Sequence, residues 1–424
     1  MEIASNKISL PRLILTILIW LTIFVPGHMY NWGVERIYIA FVAFLCSCCL
    51  VFNRRLKSWL NISPNLLIVS FITVTIIGLA GYVLSINVFL INTGIRDYIE
   101  LLRWPICIAF ILFVAQFFNK RYVDVFNKAI EASLLYCLFV FILYKINVPF
   151  LSSFFTEIIY YDAKTWFSLD GYGRLSVPFE NPNFLAFYLN AIFTYLIFFM
   201  KAPKWKKYIS LIMIIFLLYL TGSRSGWVGS FVIIFAWVLL NIRLLFTKAY
   251  FKAIVSLIIM VLILYFGFKL ISPYITTNYR IQMLMNAIEG GGITTEANLS
   301  GRIDHIKQSW GYTSQAPLFG WGSAKYGLMQ IIDNQYFTWL FRYGIIGTTI
   351  ILITCFYIII NLLRLASFNL KYIYGLLALF AQIFVMLGTG AFLDNFRLFF
   401  IIVILFQVIW LILSDARVSI MKSQ

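Results

Sequence analysis

Charged residues are scarce in this sequence, and histidine is almost absent. Only 12% of the 424 residues are charged, whereas a typical soluble domain has about 25%. The two histidines, His28 and His305, are far apart, and no Asp-x-Asp motif occurs. All six cysteines fall inside apolar runs without metal-ligand spacing, so we interpret them as small buried hydrophobic residues. The sequence therefore predicts no metal site, no cofactor and no metal-bound nucleotide-sugar motif.

Long apolar runs dominate the chain, which is 62% hydrophobic and 19% aromatic. A helix needs about 20 such residues to cross a bilayer. The expected fold class is therefore an all-α polytopic membrane protein, with residues 1–424 as one integral membrane domain. About twelve transmembrane helices are predicted, over residues 10–27, 36–52, 65–86, 101–118, 129–149, 183–200, 208–222, 225–241, 253–271, 335–361, 372–391 and 396–413. The first run lacks a small-residue cleavage signal and is interpreted as a retained helix.

Lysine and arginine are concentrated in alternate loops. If the N-terminus is cytoplasmic, every segment predicted to lie inside is basic, which is the usual bias of cytoplasmic loops. Both termini are then expected to be cytoplasmic. Most of the net charge of +17 would face anionic membrane lipids. This distribution, together with the hydropathy, argues against a nucleic-acid partner.

The same orientation predicts three notable segments on the outer face. They are a first outer loop at 150–182, a tight turn at Ser223–Gly226, and a large extracytoplasmic loop at 272–334. The last is the one long segment that is not strongly hydrophobic. Function is therefore expected at this face or at the outer edge of the bilayer.

We single out one arginine from each of these segments, namely Arg174, Arg224 and Arg302. Arginine binds phosphate through two parallel hydrogen bonds and stays charged at physiological pH. A charge between two apolar runs, as at Arg224, is expensive unless it faces a polar cavity or an anion. We interpret the three as binding the pyrophosphate of a lipid-linked substrate, so that neutralising the leaving group needs no metal. The alternatives are a solvated Arg174 and an Arg224 that reaches the membrane interface.

The acceptor side of such a reaction needs a base, or a group that orients a hydroxyl. Asp333 and Glu180 are the candidate catalytic residues, in that order. Asp333-Asn334 precedes an apolar helix, so Asp333 serving only as a helix cap is the competing interpretation. Further contacts are expected from other residues of the large loop and the helix start, namely Arg280, His305, Asn334 and Tyr336.

At these residues the chain resembles the O-antigen ligase and polymerase family. The resemblance rests on Asn181-Pro182-Asn183, Ser223–Gly226, Gly301-Arg302, the Pro317–Gly322 run, and DNQYFTWLFRYGIIG from Asp333. In the family, the last of these motifs typically begins with His-Asn. This chain has Asp333-Asn334 there. The motifs span roughly 170 to 350, and the whole chain agrees in span count and loop layout.

The resemblance implies a glycosyltransferase C-like membrane fold acting on undecaprenyl-pyrophosphate-linked oligosaccharides at the outer face of the inner membrane. It also implies that the lipid pyrophosphate is bound by Arg174, Arg224 and Arg302. Because the ligases use a histidine where this chain has Asp333, we expect a Wzy-like O-antigen polymerase of lipopolysaccharide or related polysaccharide biosynthesis. A chain-length regulator protein is an expected partner.

Two alternatives remain open. One is an O-antigen ligase that moves the finished glycan to lipid A core or another acceptor. The other is a lipid-linked sugar transporter or flippase, which is expected to show helix-internal charges and broken helices near the bilayer midplane. The sequence predicts few such charges, and this favours the enzyme.

Overall fold

The computed structural model describes residues 10–26, 34–51, 56–90, 95–146, 149–159, 174–179, 181–245, 297–323, 328–329 and 332–423. Its helices are α1 Leu10–Phe24, α2 Val34–Val51, α3 Pro64–Phe89, α4 Ile95–Leu101, α5 Arg103–Phe117, α6 Lys120–Ile146, α7 Pro149–Ser153, α8 Pro182–Phe198, α9 Lys204–Thr221, α10 Arg224–Leu245, α11 Ala297–Thr313, α12 Gln335–Ala366, α13 Leu370–Leu387 and α14 Phe396–Ser423. A π-helical turn covers Phe154–Ile159, and a 3₁₀ turn covers Phe392–Asp394.

The predicted all-α membrane fold is confirmed. Seven described helices are long and apolar enough to cross a bilayer, namely α2, α3, α6, α10, α12, α13 and α14, and α1, α5 and α8 contain shorter apolar stretches. Eleven of the twelve predicted spans coincide with a described helix, and the span 253–271 lies outside the described residues. No strand element occurs in the described ranges.

Polar residues and prolines set where several helices begin. Asn181 caps α8 because its Oδ1 accepts a hydrogen bond from the Asn183 amide at 2.9 Å, and Pro182 follows as the first helical residue. Ser63 and Pro64 begin α3 in the same way. The sequence Asn181-Pro182 is thus a typical helix start, and α8 begins there.

The centre of the bundle is formed by α8 and α14. Nearly every residue of α8 from Leu185 to Phe198 is buried, and α14 is the most buried of the seven candidate spans. Helices that are apolar on all sides belong in such positions. Aromatic stacking joins them to their neighbours, with ring centroids 4.0 Å apart for Phe110 and Phe400 and 4.9 Å apart for Phe187 and Phe392.

Helix ends that are predicted to share one side of the membrane meet at one end of the bundle. At the predicted inner end, Lys120 at the start of α6 lies 2.6 Å from Asp415 near the end of α14. At the opposite end, Arg397 at the start of α14 donates hydrogen bonds to the Thr22 and Ile23 carbonyls at the end of α1. The predicted alternation of loops is thus consistent with the packing, while the orientation relative to the cell remains a prediction.

The predicted span at 335–361 is interrupted rather than continuous. Gly344 has φ 58° and ψ −165°, and this non-helical residue divides α12 into two pieces of unequal length. The short piece, residues 335–343, is called the first half of α12 below. The backbone region of Gly344 is open essentially to glycine alone. Sequence hydropathy missed the break because the run 335–361 is apolar overall despite Arg342.

The segment Pro317–Gly322 fills this break. The Trp321 and Gly322 amides donate to the Phe341 and Arg342 carbonyls at 2.7 and 2.9 Å. In return, the Ile345 amide donates to the Pro317 carbonyl at 2.8 Å. These bonds replace those that the interrupted helix cannot make, so irregular backbone is tolerated inside the bundle.

The same segment also packs against α3. A Cβ at Gly322 would overlap the backbone of Gly78 and Tyr82, and a Cβ at Gly81 would lie 2.6 Å from the Gly320 carbonyl oxygen. Gly81 precedes the end of α3 by eight residues, which corresponds to a depth of about 12 Å along the helix axis. The sequence assigns Pro317–Gly322 to the outer loop, whereas the structure places it within the bundle.

Candidate functional site

The candidate residues gather where α8, α10 and α12 begin and α13 ends. The Asn190 side chain of α8 donates to the Gly226 carbonyl of α10 at 2.8 Å and lies 3.5 Å from the Met386 sulfur of α13. The Asn334 side chain before α12 donates to the Gly388 carbonyl after α13 at 2.9 Å. These contacts hold the three helix starts at one end of the bundle, the end that the sequence predicts to be outside.

Arg174 is buried and holds the turn between α9 and α10. Its Nε donates to the Thr221 carbonyl at 2.6 Å, and its Nη2 donates to the Asn183 Oδ1 at 3.1 Å. The Ser223 hydroxyl donates to the same Asn183 oxygen at 2.9 Å. One amide oxygen therefore connects Arg174 to the predicted Ser223–Gly226 turn.

Arg224 is the first residue of α10, and it is exposed. Ser223 caps this helix because its hydroxyl accepts a hydrogen bond from the Gly226 amide at 3.2 Å. Gly222 ends α9 with φ 54°, a left-handed conformation that reverses the chain within two residues. The turn thus places an exposed guanidinium at a helix N-terminus, where the helix dipole also favours an anion.

Arg302 and Asp333 approach each other across the start of α12. The Arg302 Nε lies 3.8 Å from the Asp333 Oδ2, and the side chains are 36% and 44% exposed. This is a loose, solvated ion pair, so both groups remain accessible to a ligand. Arg302 lies in the second turn of α11, and Asp333 lies two residues before α12.

The helix cap at this position is Asn334 rather than Asp333. The Asn334 Oδ1 accepts hydrogen bonds from the Tyr336 and Phe337 amides at 2.9 and 3.2 Å. The competing interpretation of Asp333 as the cap is therefore wrong. Its carboxylate faces Arg302 instead.

The other predicted site residues are Tyr336, His305, Arg280 and Glu180. The structure describes the first two. The Tyr336 hydroxyl donates to the Phe384 carbonyl of α13 at 2.8 Å, which gives this side chain a structural role. His305 is half-buried, and its Nδ1 has no hydrogen-bond partner among the described residues. Arg280 and Glu180 both lie outside the described residues.

Comparison with known proteins bears on the segment that carries most of these residues. The family model described as O-antigen ligase matches residues 209–352, about one third of the chain. The chain carries an O-antigen ligase family domain. A search of curated proteins gives no match. The predicted resemblance is confirmed over the O-antigen ligase domain, which includes Arg224, Arg302 and Asp333 but not Arg174.

Sequence reasoning missed three buried arginines in or beside this O-antigen ligase domain. Arg103, Arg342 and Arg397 are each between 1% and 3% exposed. All three fall inside predicted spans, and an ionisable residue inside a membrane helix is a signal of function or of specific pairing. Arg103 and Arg397 lie at the starts of α5 and α14, and Arg342 lies seven residues into α12, so the expectation of few charges near the bilayer midplane stays a prediction.

Arg397 connects α14 to the segment 174–179. Its three nitrogens donate to the carbonyls of Thr22, Ile23 and Pro178 at 3.1, 2.7 and 3.1 Å. The guanidinium also lies over the Phe179 ring, 4.8 Å from its centroid. Arg397 therefore fixes the backbone just beyond Arg174, upstream of the O-antigen ligase domain.

The region around Arg224, Arg302 and Asp333 can bind an anion next to a carboxylate. Arg224 and Arg302 offer exposed guanidinium groups, and Asp333 offers an acceptor oxygen next to Arg302. Within the described ranges, no group of three metal-ligating side chains occurs. The absence of a metal requirement stays a prediction.

Proposed function

We propose that this protein is a polysaccharide repeat-unit polymerase that acts on undecaprenyl-pyrophosphate-linked glycans. The observation that carries the proposal is the accessible Arg302–Asp333 pair inside the O-antigen ligase domain. The matched family is associated with glycosyl transfer, which supports an enzyme. Asp333 stands where the ligases of the family carry histidine, and this departure favours the polymerase branch.

In the proposed reaction, the hydroxyl of the acceptor sugar attacks the anomeric carbon of the donor glycan. A new C–O bond forms, the bond from that carbon to the pyrophosphate oxygen breaks, and undecaprenyl pyrophosphate leaves with the electron pair. Arg224 and Arg302 stabilise the charge of the leaving group. Asp333 orients the hydroxyl and accepts its proton, which then passes to water. Glu180 is the second candidate for this role.

Arg174 has a structural role in this proposal, unlike Arg224 and Arg302. Its guanidinium is buried against Thr221 and Asn183, so it shapes the turn that presents Arg224. We therefore assign pyrophosphate binding first to Arg224 and Arg302. A direct contact from Arg174 remains a weaker part of the proposal.

The deciding experiment reconstitutes the purified protein with a lipid-linked repeat unit and no nucleotide sugar. A ladder of products that differ by one repeat unit supports a polymerase. The same ladder in the presence of EDTA would support the predicted independence from divalent metals. Asp415→Asn is a matched control, because Asp415 belongs to an exposed ion pair with Lys120, which the packing places at the opposite end of the bundle.

A ligase is the second candidate, because the matched family is described by that activity. Supplying a lipid A core acceptor together with a preformed lipid-linked glycan separates the two. Transfer to the core without a ladder would support the ligase and contradict the polymerase.

A transporter of lipid-linked sugars also receives support from the break in α12 and the buried arginines, since both features occur in transporters. Movement of a lipid-linked unit across the bilayer of a proteoliposome, without formation of new glycosidic bonds, would favour transport over both enzymes.

A further inference from the structure

A group of four charged side chains lies beside the first half of α12, with both arginines buried and both carboxylates mostly buried. The Arg342 Nη1 lies 3.1 Å from the Glu100 Oε2, and its Nη2 lies 3.1 Å from the Asp394 Oδ2. Arg103 donates two hydrogen bonds to Glu100 at 2.7 and 2.8 Å. The group contains two positive and two negative charges, so it is neutral as a whole.

The charges within this group determine its ionisation. Burial opposes ionisation of Glu100, but attraction from Arg103 and Arg342 outweighs that effect and lowers the pKa of the carboxyl group. Glu100 therefore stays ionised at neutral pH. The Arg342 contacts are ion pairs, because its nitrogens make no well-aligned hydrogen bond with any described residue.

Gln335 connects the group to the start of α12. Its Nε2 donates to the Asp394 Oδ1 at 3.0 Å, and its Oε1 accepts from the Leu393 amide at 2.9 Å. Gln335 and Arg342 are seven residues apart, two helical turns, and so share one helix face. Both side chains reach Asp394, which thus holds the first half of α12 at two points.

The first half of α12 depends on such contacts. It comprises residues 335–343 and ends at the break at Gly344. A helix this short is marginal in isolation, and the break removes the direct continuation that would otherwise fix its direction. Asp333 lies two residues before Gln335, at the end of this short helix that the Asn334 and Gln335 side chains hold against Gly388 and the 3₁₀ turn.

We propose that Gln335, Arg342, Asp394 and Glu100 are positioning residues that set the location of the Asp333 carboxylate relative to Arg302. This inference rests on the proposed function for its catalytic consequence, but not for its structural one. The ion pairs span three separate parts of the chain, α4, the start of α12, and the 3₁₀ turn at Phe392–Asp394. Removing one charge loosens the first half of α12 without touching Asp333 or Arg302, while its hydrogen bonds to the Pro317–Gly322 segment, Gly388 and Phe384 remain.

Buried ion pairs are a poor source of stability, because desolvation offsets their attraction. Four mostly buried charges that each contact another part of the chain are better explained by the need for a defined geometry. A displacement of about 1 Å at a reacting group costs on the order of 10²-fold in rate. A positioning role therefore predicts a loss in kcat with little change in the donor KM.

The test compares Asp394→Asn with wild type in lipid nanodiscs. Asp394→Asn keeps an acceptor oxygen for Gln335 but removes the charge that pairs with Arg342. We expect kcat for repeat-unit transfer to fall by about 10–100-fold at unchanged KM. Amide hydrogen exchange should rise over 335–343 and stay unchanged in α8. Asp415→Asn is the matched control and should change neither quantity.

A second variant covers the case in which Asp394→Asn unfolds. Gln335→Met keeps the side-chain length and the charge balance but removes both hydrogen bonds to the 3₁₀ turn. The same pattern of raised exchange over 335–343 and lowered kcat is expected. Unchanged exchange over 335–343 in either folded variant would overturn the inference.

Hydrogen exchange also separates this inference from the proposed function. If wild type makes no product from lipid-linked units while exchange over 335–343 still rises in the variants, the proposed function fails and the positioning group stands. If wild type is active and both variants keep its kcat, the positioning role fails and the proposed function stands.

Discussion

Asp333 and Asn334 are adjacent, yet the structure predicts different consequences for their substitution. The Asn334 side chain makes three hydrogen bonds, two as the cap of α12 and one to the Gly388 carbonyl. Among the described residues, the contact shown for the Asp333 side chain is a loose ion pair with Arg302 at 3.8 Å. We therefore expect Asn334→Ala to lower stability and Asp333→Asn to lower activity.

The expected magnitudes follow from these contacts. Loss of a helix cap costs about 1 kcal/mol, and leaving the Gly388 carbonyl without its partner adds about 1 kcal/mol. Asn334→Ala should therefore destabilise by about 2 kcal/mol. An ion pair this exposed contributes about 0–1 kcal/mol, so Asp333→Asn should be close to neutral in stability. Loss of a true general base lowers the rate by about 10²–10⁴-fold.

The assay measures thermal unfolding and ladder formation on the same nanodisc preparations. Asn334→Ala should lower the melting temperature clearly, while Asp333→Asn should leave it near the wild-type value and abolish most of the ladder. A near wild-type rate in Asp333→Asn, together with loss of activity in Glu180→Gln, would show that Glu180 is the base. If Asp333→Asn lowered the melting temperature as much as Asn334→Ala, the conclusion that Asn334 serves stability and Asp333 serves activity would be refuted.

Three further predictions follow from the arginines, the helix break and the topology. Arg224→Ala should lower transfer while leaving the melting temperature unchanged, because Arg224 is exposed. Arg174→Ala should lower both, because it removes buried hydrogen bonds to Thr221 and Asn183, and equal melting temperatures for the two variants would contradict this. Gly344→Ala should destabilise by about 1–3 kcal/mol or more, because a Cβ there would overlap the Leu318 carbonyl; a wild-type melting temperature would mean that the helix is not broken. A membrane-impermeant thiol reagent applied from outside should label Asp304→Cys but not Lys204→Cys, and the reverse pattern would invert the topology.

The placement of the long apolar helices was predictable because it depends on local composition. Apolar length alone located α3, α13 and α14, and the Asn-Pro start located α8. Ends were less accurate. The last predicted span stops at 413, whereas α14 continues to Ser423 through residues with alternating polarity.

The interior of the site could not be predicted in the same way, because its contacts join distant parts of the chain. The Gly322 backbone meets Gly78, and Arg342 meets both Glu100 and Asp394. No local periodicity encodes such pairs. Their residue types were nevertheless a usable signal, since arginines within predicted spans require partners.

The adjacent residues Asp333 and Asn334 show a further limit. The sequence identified Asp333-Asn334 as a helix start but could not decide which of the two serves as the cap. The decision depends on where the backbone first becomes helical, and the structure places this at Gln335. Only then does Asp333 lie outside the cap, with its carboxylate directed towards Arg302.

The charge group around α12 also bears on how the chain enters the membrane. Glu100 and Arg103 are three residues apart and pair with each other, so this early part of the chain inserts a neutral dipole rather than an ion. Arg342 and Asp394 arrive much later in synthesis and neutralise one another across the start of α12. Each half is neutral once it is complete, although Arg342 has to wait for Asp394 until α13 has been synthesised. Replacing Asp394 would remove that neutrality from the later half alone, so membrane insertion of the earlier helices should proceed as in wild type.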